Sequence, residues 1–497
     1  MFLSPLYRAA AMRQLEMRAL HTDPAADLML RAGEAAAQYA MQIIGGTGRR
    51  VLILAGPGNN GGDAFEVAVH MKRGFYRVDV VHTGDPVKLR GEAKAAWEKW
   101  HAAGGMVLKA IPPDAAYDLV VDGLFGIGLS KTIDGPYAAQ IKAVNGMNAL
   151  RLALDIPSGL HSDTGAVASV ALHATHTITF IAHKPGLHTL DGPDHCGEVR
   201  LATLGLDARM LSTPDGELLD QTAIHRLPLR RPQNFHKGQA GGVVVLGGDE
   251  GMVGAAILAA SAALKLGAGK VFMGLLTNHP PVTVDLQPEV MLRAPDTALN
   301  EEAVNVVVAG PGMGTGSQAQ RLLSAALRSD KVLLLDADAL NLLAAYGVLK
   351  SAASTRKAAT LMTPHPAEAA RLLELTTAQV QADRIDSALR LAQKFKATVV
   401  LKGNGSICAT ADGRWWINTS GNPGMASAGM GDVLSGIIGA LLAQGCDTVD
   451  ALCAAVYLHG AAADEAVLGG RGPVGLTALE LVEPARAILN RALCASA

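Results

Sequence analysis

The sequence predicts two α/β domains in tandem, and three observations carry that prediction. At 497 residues the chain exceeds what one ordinary core supports. Short apolar runs alternate with helical stretches in two separate blocks. The runs also end in turns that combine Gly with Asp or Asn, as expected of parallel strands whose C-terminal ends line a ligand crevice.

In chain order, residues 6–40 read as amphipathic helix packed on the first sheet. Runs 51–54, 118–121 and 152–154 read as buried parallel strands. Their turns, 56–63, 122–128 and 155–159, should converge in space. A linker is expected at 210–228, where Pro214-Asp215-Gly216, Pro228 and Pro232 interrupt weak periodicity. The second block has its strands at 243–246, 306–308, 332–335, 360–362 and 399–401. The predicted domains are 1–215 and 226–497.

Composition narrows the function classes. Hydrophobic residues make up 49% and charged residues 18%, which is globular and well buried. A net charge of −2 gives no surface for nucleic acid. The five cysteines, Cys196, Cys408, Cys446, Cys453 and Cys494, are scattered and form no Cys-x-x-Cys pair, so neither a zinc ribbon nor a disulfide framework is expected. The apolar stretches 254–264 and 433–442 are short for a membrane span, and no signal-peptide pattern opens the chain. The expectation is a cytoplasmic homo-oligomer acting on small molecules, with no membrane partner.

The turn Gly56-Pro57-Gly58-Asn59-Asn60-Gly61-Gly62-Asp63 has a backbone loose enough to aim amides into one cavity, which suits phosphate. It ends in neither the P-loop Gly-Lys-Ser/Thr nor the dinucleotide fingerprint. Asp122 and Asp155 close apolar strands, where an unpaired carboxylate would be costly to bury. Carboxylate, Asn and Ser oxygens together would suit a hard cation, K+ before Zn2+, with N-capping as the competing role. Six histidines between His161 and His195 match no zinc spacing and read as dispersed residues.

In the second block, Asn422 to Asp432 precedes the apolar helix 433–442. Its small residues let amides gather at a helix N-terminus beside a carboxylate, so Asp432 could take a proton from a hydroxyl near bound phosphate. Thr363-Pro364-His365-Pro366 is a rigid polar turn, and Lys402-Gly403-Asn404-Gly405-Ser406 offers a cation and amides to a nucleotide phosphate. Gly310 to Gly314 is a further close-approach loop.

Four motifs in the first block resemble the NAD(P)H-hydrate epimerase domain: residues 56–63, Asp-Gly-Leu-Phe-Gly-Ile-Gly-Leu (122–129), Asp-Ile-Pro-Ser-Gly-Leu (155–160), and Thr-Phe-x-x-x-Lys-x-Gly-Leu (179–187). The resemblance implies a Rossmann-like three-layer fold that epimerises the hydroxyl-bearing carbon of hydrated NADH or NADPH (NADHX, NADPHX). It implies substrate contacts from Asn59, Asn60, Gly61, Gly62 and Asp63, and from Gly126, Ile127, Gly128, Leu129, Ser130, Lys131 and Thr132. It further implies K+ on Asn60, Asp122 and Ser158, with Asp155 at the reacting ring.

From about residue 230 onward, His236-Lys237-Gly238, Asp336-Ala337-Asp338-Ala339-Leu340-Asn341, Thr-Pro-His-Pro-Ala-Glu (363–368) and Asn-Pro-Gly-Met-Ala-x-x-Gly-x-Gly-Asp (422–432) are similar to the ADP-dependent NAD(P)H-hydrate dehydratases. That resemblance implies a ribokinase-like fold in which ADP, with Mg2+, phosphorylates the hydrate of the S epimer. Phosphate then leaves as NAD(P)H reforms, giving AMP. It places the nucleotide on Lys402, Gly403, Asn404, Gly405, Ser406 and Gly431. The hydrate would lie on Ala255, Gly312 and His365, with Asp432 as base. Together the two halves resemble a bifunctional repair enzyme. The competing reading is a ribokinase-like small-molecule kinase fused to a noncatalytic ligand-binding domain.

Overall fold

The computed structural model describes residues 3–23, 26–113, 115–129, 131–284 and 287–495. It forms two compact units. Ser4–Glu217 is the first, and Leu3 with the chain from Leu218 onward makes the second.

The first unit is a seven-stranded parallel sheet. In spatial order its strands are Val107–Leu108, Arg77–Val81, Arg50–Ala55, Leu119–Gly123, Leu150–Leu154, His176–Phe180 and Glu198–Ala202. Alternation sorts each strand between two cores. Val51 and Ile53 pack with Met12, Leu15, Met29 and Phe65 on one face. Leu52 and Leu54 pack with Ile141 and Val144 on the other. The result is a three-layer unit with helices on both faces. The outer strands escaped the sequence reading because they mix polar with apolar residues, as in Arg77–Val81, which is exposed at its start.

The second unit carries strands in the spatial order Met291–Arg293, Lys270–Leu275, Gly242–Gly247, Val306–Ala309, Val332–Leu335, Thr360–Met362, Thr398–Leu401, Ile407–Ala409 and Trp415–Asn418. The first seven are parallel, and the last two turn back antiparallel. One core joins this sheet to helices Val253–Lys265, Met430–Ala443 and Thr448–Ala466. By length and composition alone, Thr448–Gly470 could cross a membrane, but 61% of its apolar window is buried inside the unit.

The segment expected to be a linker is structured. Gly216–Leu219 is a strand and Thr222–His225 a single helical turn, with Leu219, Ala223 and Ile224 buried in the second core. The second unit therefore starts at Leu218 rather than 226. Prolines and a glycine mark its bends, and its few apolar residues are too sparse to show a period.

Candidate active sites

In the first unit the three glycine turns meet. Gly56 donates its amide to Gly123 O at 2.9 Å, and Phe125 donates its amide to Ser158 Oγ at 2.9 Å. A Cβ on Gly56 would fall 1.7 Å from Leu124 O, so only glycine lets these loops touch. Helix Asn59–Arg73 starts directly at the turn with Gly58 as N-cap and no side-chain cap, leaving its first amides open to a ligand. A cavity of about 810 Å³ lies over these strand ends, and a volume of that order suits a cofactor-sized ligand.

Of the residues singled out from sequence, Asn59, Asn60, Asp63, Gly126, Ile127, Gly128, Leu129, Lys131 and Asp155 line this cavity. Gly61 and Gly62 do not. They are buried in the first helical turn, where a Cβ would fall 2.0 Å from Gly56 O or 2.6 Å from the Met29 side chain. Close packing, not ligand contact, is what requires glycine there. Thr132 is exposed and off the lining. Ser130 lies outside the described residues.

Asp155 occupies a strained turn. Its φ is +65°, and Ile156 donates its amide across it to Leu154 O at 2.8 Å. Ile181 repeats the arrangement at the end of the next strand, with φ +67° and Ala182 N–H on Phe180 O at 2.7 Å. Such γ-turns at non-glycine residues are unfavourable and are kept where a side chain must be aimed. Asp155 Oδ1 accepts a hydrogen bond from the Lys184 ammonium, a side chain 1% exposed. Lys184 also donates to Thr179 Oγ1 at 3.0 Å and to Phe180 O at 2.8 Å.

Asp122 is fully buried and accepts from Ser158 N–H (2.8 Å), Ser158 Oγ (2.7 Å) and Leu124 N–H (3.1 Å). Burial raises its carboxyl and these three bonds pull it back, with no cationic side chain contributing. Asn60, which packs against Gly123 and Gly126, has its Nδ2 buried without a hydrogen-bond partner. A buried carboxylate without a cationic partner, the Ser158 hydroxyl and the Asn60 carboxamide offer the oxygen donors that a monovalent cation takes.

Three charged cavity residues went unnoticed in the sequence, Arg13, Glu16 and Glu92, and Lys184 was noted only as part of a motif, without a role. Burial raises the Glu16 carboxyl, and Asp155 adds to the effect. Burial pushes Asp63 well above the carboxylate range, with Asp155 and Glu16 adding. Four of the six histidines form pairs: His183 and His188 share a 3.1 Å contact, and His173 stacks on His195 at 4.1 Å. Among the described residues no group of His, Cys, Asp or Glu is arranged to hold a metal.

In the second unit, helix Met430–Ala443 opens on Gly429 at φ +85°, where a Cβ would strike the Leu258 side chain at 2.5 Å. No side chain caps this helix, so Asp432 is not spent as a cap. Burial raises its carboxyl to about 7, Asp336 and Asp338 adding and Lys402 opposing. Lys402 leaves the loop to which it belongs and pairs with buried Asp336 at 2.9 Å, whose other oxygen accepts from Ser435 Oγ at 2.8 Å. Gly431 is where this pair comes closest, since a Cβ there would lie 3.2 Å from Lys402 Nζ. Gly403, Asn404, Gly405 and Ser406 remain as the loop itself, at least partly open to solvent.

His365 caps helix Pro366–Leu373 through Nδ1 and accepts from the amides of Ala367 and Glu368, while the His365 amide donates to Glu368 Oε2 at 2.8 Å. Burial lifts Glu368 to about 7 and lowers His365, with Lys402 adding to the latter. Ala255 and Gly312 are neighbours: a Cβ on Gly312 would lie 3.2 Å from that of Ala255. Asp336, Glu368 and Ser435 had no role from sequence. The sequence offered their motifs but nothing to say which side chain Lys402 would choose.

Two α/β units, each presenting an aspartate at the end of its sheet beside open amides, form a two-site enzyme for phosphate-bearing small molecules. Residues 25–186 match the family described as YjeF-related protein N-terminus, and residues 243–483 match NAD(P)H-hydrate dehydratase. The bifunctional NAD(P)H-hydrate repair enzyme Nnr of Coxiella burnetii is 37% identical over 98% of this chain and 100% of its own length. That of Escherichia coli K12 is 39% identical over 93% and 89%. The crystal structure of a ribokinase-like superfamily protein from Enterococcus faecalis V583 covers 56% of this chain and 96% of its own, at TM-score 0.50 and 28% identity. The chain belongs to the bifunctional NAD(P)H-hydrate repair enzymes, with a Rossmann-like epimerase unit followed by a ribokinase-like dehydratase unit.

Proposed function

We propose that the first unit interconverts the R and S epimers of NADHX and NADPHX in its 810 Å³ cavity, with Asp155 at the reacting carbon. Asn59, Asn60, Asp63 and the loop 126–131 hold the substrate. Asn60, Asp122 and Ser158 would hold K+, which would supply the positive charge that no side chain gives buried Asp122. The observation that carries this reading is Asp155, strained and ion-paired to Lys184, aimed into the cavity.

The second unit dehydrates the S epimer. ADP lies on residues 402–406 and Gly431, and the hydrate on Ala255, Gly312 and His365. Asp432, raised to about 7, is poised as a base for the hydrate's hydroxyl at neutral pH. Mg2+ would be held chiefly by the nucleotide's phosphate oxygens, with Asp336 or Glu368 as the protein carboxylate within reach, leaving Asp432 free as the base. That fits an ion that prefers few protein ligands and retains water. When bound, Mg2+ neutralises charge on the transferred phosphoryl group. The free cysteines and near-neutral charge support a reducing, cytoplasmic setting.

The test supplies mixed NADHX epimers with ADP or ATP and follows reduced-nicotinamide absorbance. A gain with ADP, AMP and phosphate appearing in step, is expected. A stable phosphorylated product without that gain would favour the small-molecule kinase.

A further inference from the structure

We propose that Glu16 is the proton-transfer partner of Asp155 in epimerisation, acting from the N-terminal helix that forms a separate wall of the cavity. The inference rests on the epimerase reading of that site.

Arg13, Glu16, Met17 and Leu20 of helix Ala9–Thr22 all line the cavity. Their spacing is i, i+3, i+4, i+7, so one continuous helical face is given to the ligand. The adjoining stripe, Met12, Leu15 and Ala19, is buried in the core and fixes which face turns inward. The start of the helix is anchored as well. Tyr7 donates its amide to His183 O at 3.1 Å, and Ala9 donates its amide to Asp163 Oδ1 at 2.8 Å. His183 precedes Lys184, so the element carrying Glu16 is tied to the residue that holds Asp155.

Lys184 cannot be the second proton carrier. An ammonium has three donors, and Asp155, Thr179 and Phe180 take all of them. The charged groups facing Glu16 are Asp155, Lys184, Arg13 and Glu92; burial raises its carboxyl above the usual value, Asp155 and Glu92 adding while Lys184 and Arg13 oppose. Asp63, on helix Asn59–Arg73, also lines the cavity, and burial raises its carboxyl, with Asp155 and Glu16 adding.

The substrate's chemistry needs such a pair. Water adds to a dihydronicotinamide as to any enamine: the proton goes to the β-carbon and the hydroxyl to the carbon bonded to the ring nitrogen. That carbon is a hemiaminal. It epimerises when its C–N bond opens to an aldehyde and an enamine N–H, which recloses on the other face of the carbonyl. In opening, Asp155 takes the hydroxyl proton, C=O forms as C–N breaks, and Glu16 gives its proton to nitrogen. Closure returns the nitrogen proton to Glu16 and the Asp155 proton to oxygen. Both groups end as they began, and nothing is oxidised or reduced.

The test is Glu16→Gln in the full chain, with purified epimers and exchange followed chromatographically. Because general acid catalysis contributes about 10²–10⁴-fold, kcat for exchange should fall by about that factor while KM stays within about threefold. Dehydration by the second unit should be unchanged. The alkaline limb of the kcat profile, set by the need for a protonated Glu16, should vanish, and Glu16→Asp should restore part of the rate. Asp155→Asn is measured in parallel. If it retains exchange, the epimerase reading itself fails. If it loses exchange while Glu16→Gln stays near wild type, or loses kcat with the alkaline limb intact, the assignment of Glu16 alone is overturned.

Discussion

The two sites place an aspartate and a lysine at the ends of their sheets and pair them differently. In the first unit the lysine goes straight to the aspartate at the cavity: Lys184 bonds Asp155 and is itself saturated. In the second the lysine goes to a neighbour. Lys402 pairs with Asp336, and Asp432 is left desolvated beside them with its carboxyl at about 7. The difference teaches that the chemistry lies in the choice of partner. The first aspartate meets its substrate with a lysine already bonded to it, whereas the second, left desolvated, is a base that titrates at neutrality.

The comparison can be broken most forcefully at Lys184. Lys184→Met strips the counter-ion from Asp155, and breaking a buried pair costs about 3–5 kcal/mol. Urea denaturation should show that loss in the first unit, together with loss of epimerisation, while dehydration persists. An unchanged transition would mean that the pair carries no weight. A subtler probe is pH. The Asp432 carboxyl is raised, so the base is lost as pH falls through about 7, and the dehydration rate should rise with pH across that point. Lys402 opposes the rise, so Lys402→Met should move the midpoint upward by about one unit, or ~1.4 kcal/mol. A midpoint moving down would reverse the assigned roles.

Much of this was legible in the sequence, and the rest was hidden for identifiable reasons. Asp122 and Asp155 stood out because a carboxylate closing an apolar run is unusual, and Asp432 because it opens an apolar helix behind a glycine-rich turn; Asp155 lines the cavity, Asp122 is buried on Ser158, and Asp432 lies in the first turn of its helix. The face carrying Arg13 and Glu16 did not stand out. A charged pair at i, i+3 on an amphipathic helix reads as solvated surface until a cavity is found beneath it. Gly61 and Gly62 misled for the opposite reason: glycines that permit close packing have the same signature as glycines that free amides for a ligand. The boundary between Glu217 and Leu218 falls inside the expected linker, but its strand and helical turn went unread because Leu219, Ala223 and Ile224 are buried by a sheet from far along the chain, which local periodicity does not register.

The central claim is that two aspartates run two independent reactions. It is tested most directly by assaying Asp155→Asn and Asp432→Asn for both activities on separated epimers. Asp432→Asn should abolish ADP-driven formation of NADH and leave epimer exchange at the wild-type rate. Asp155→Asn should abolish exchange and still dehydrate the S epimer. Loss of both activities in either variant would contradict the account.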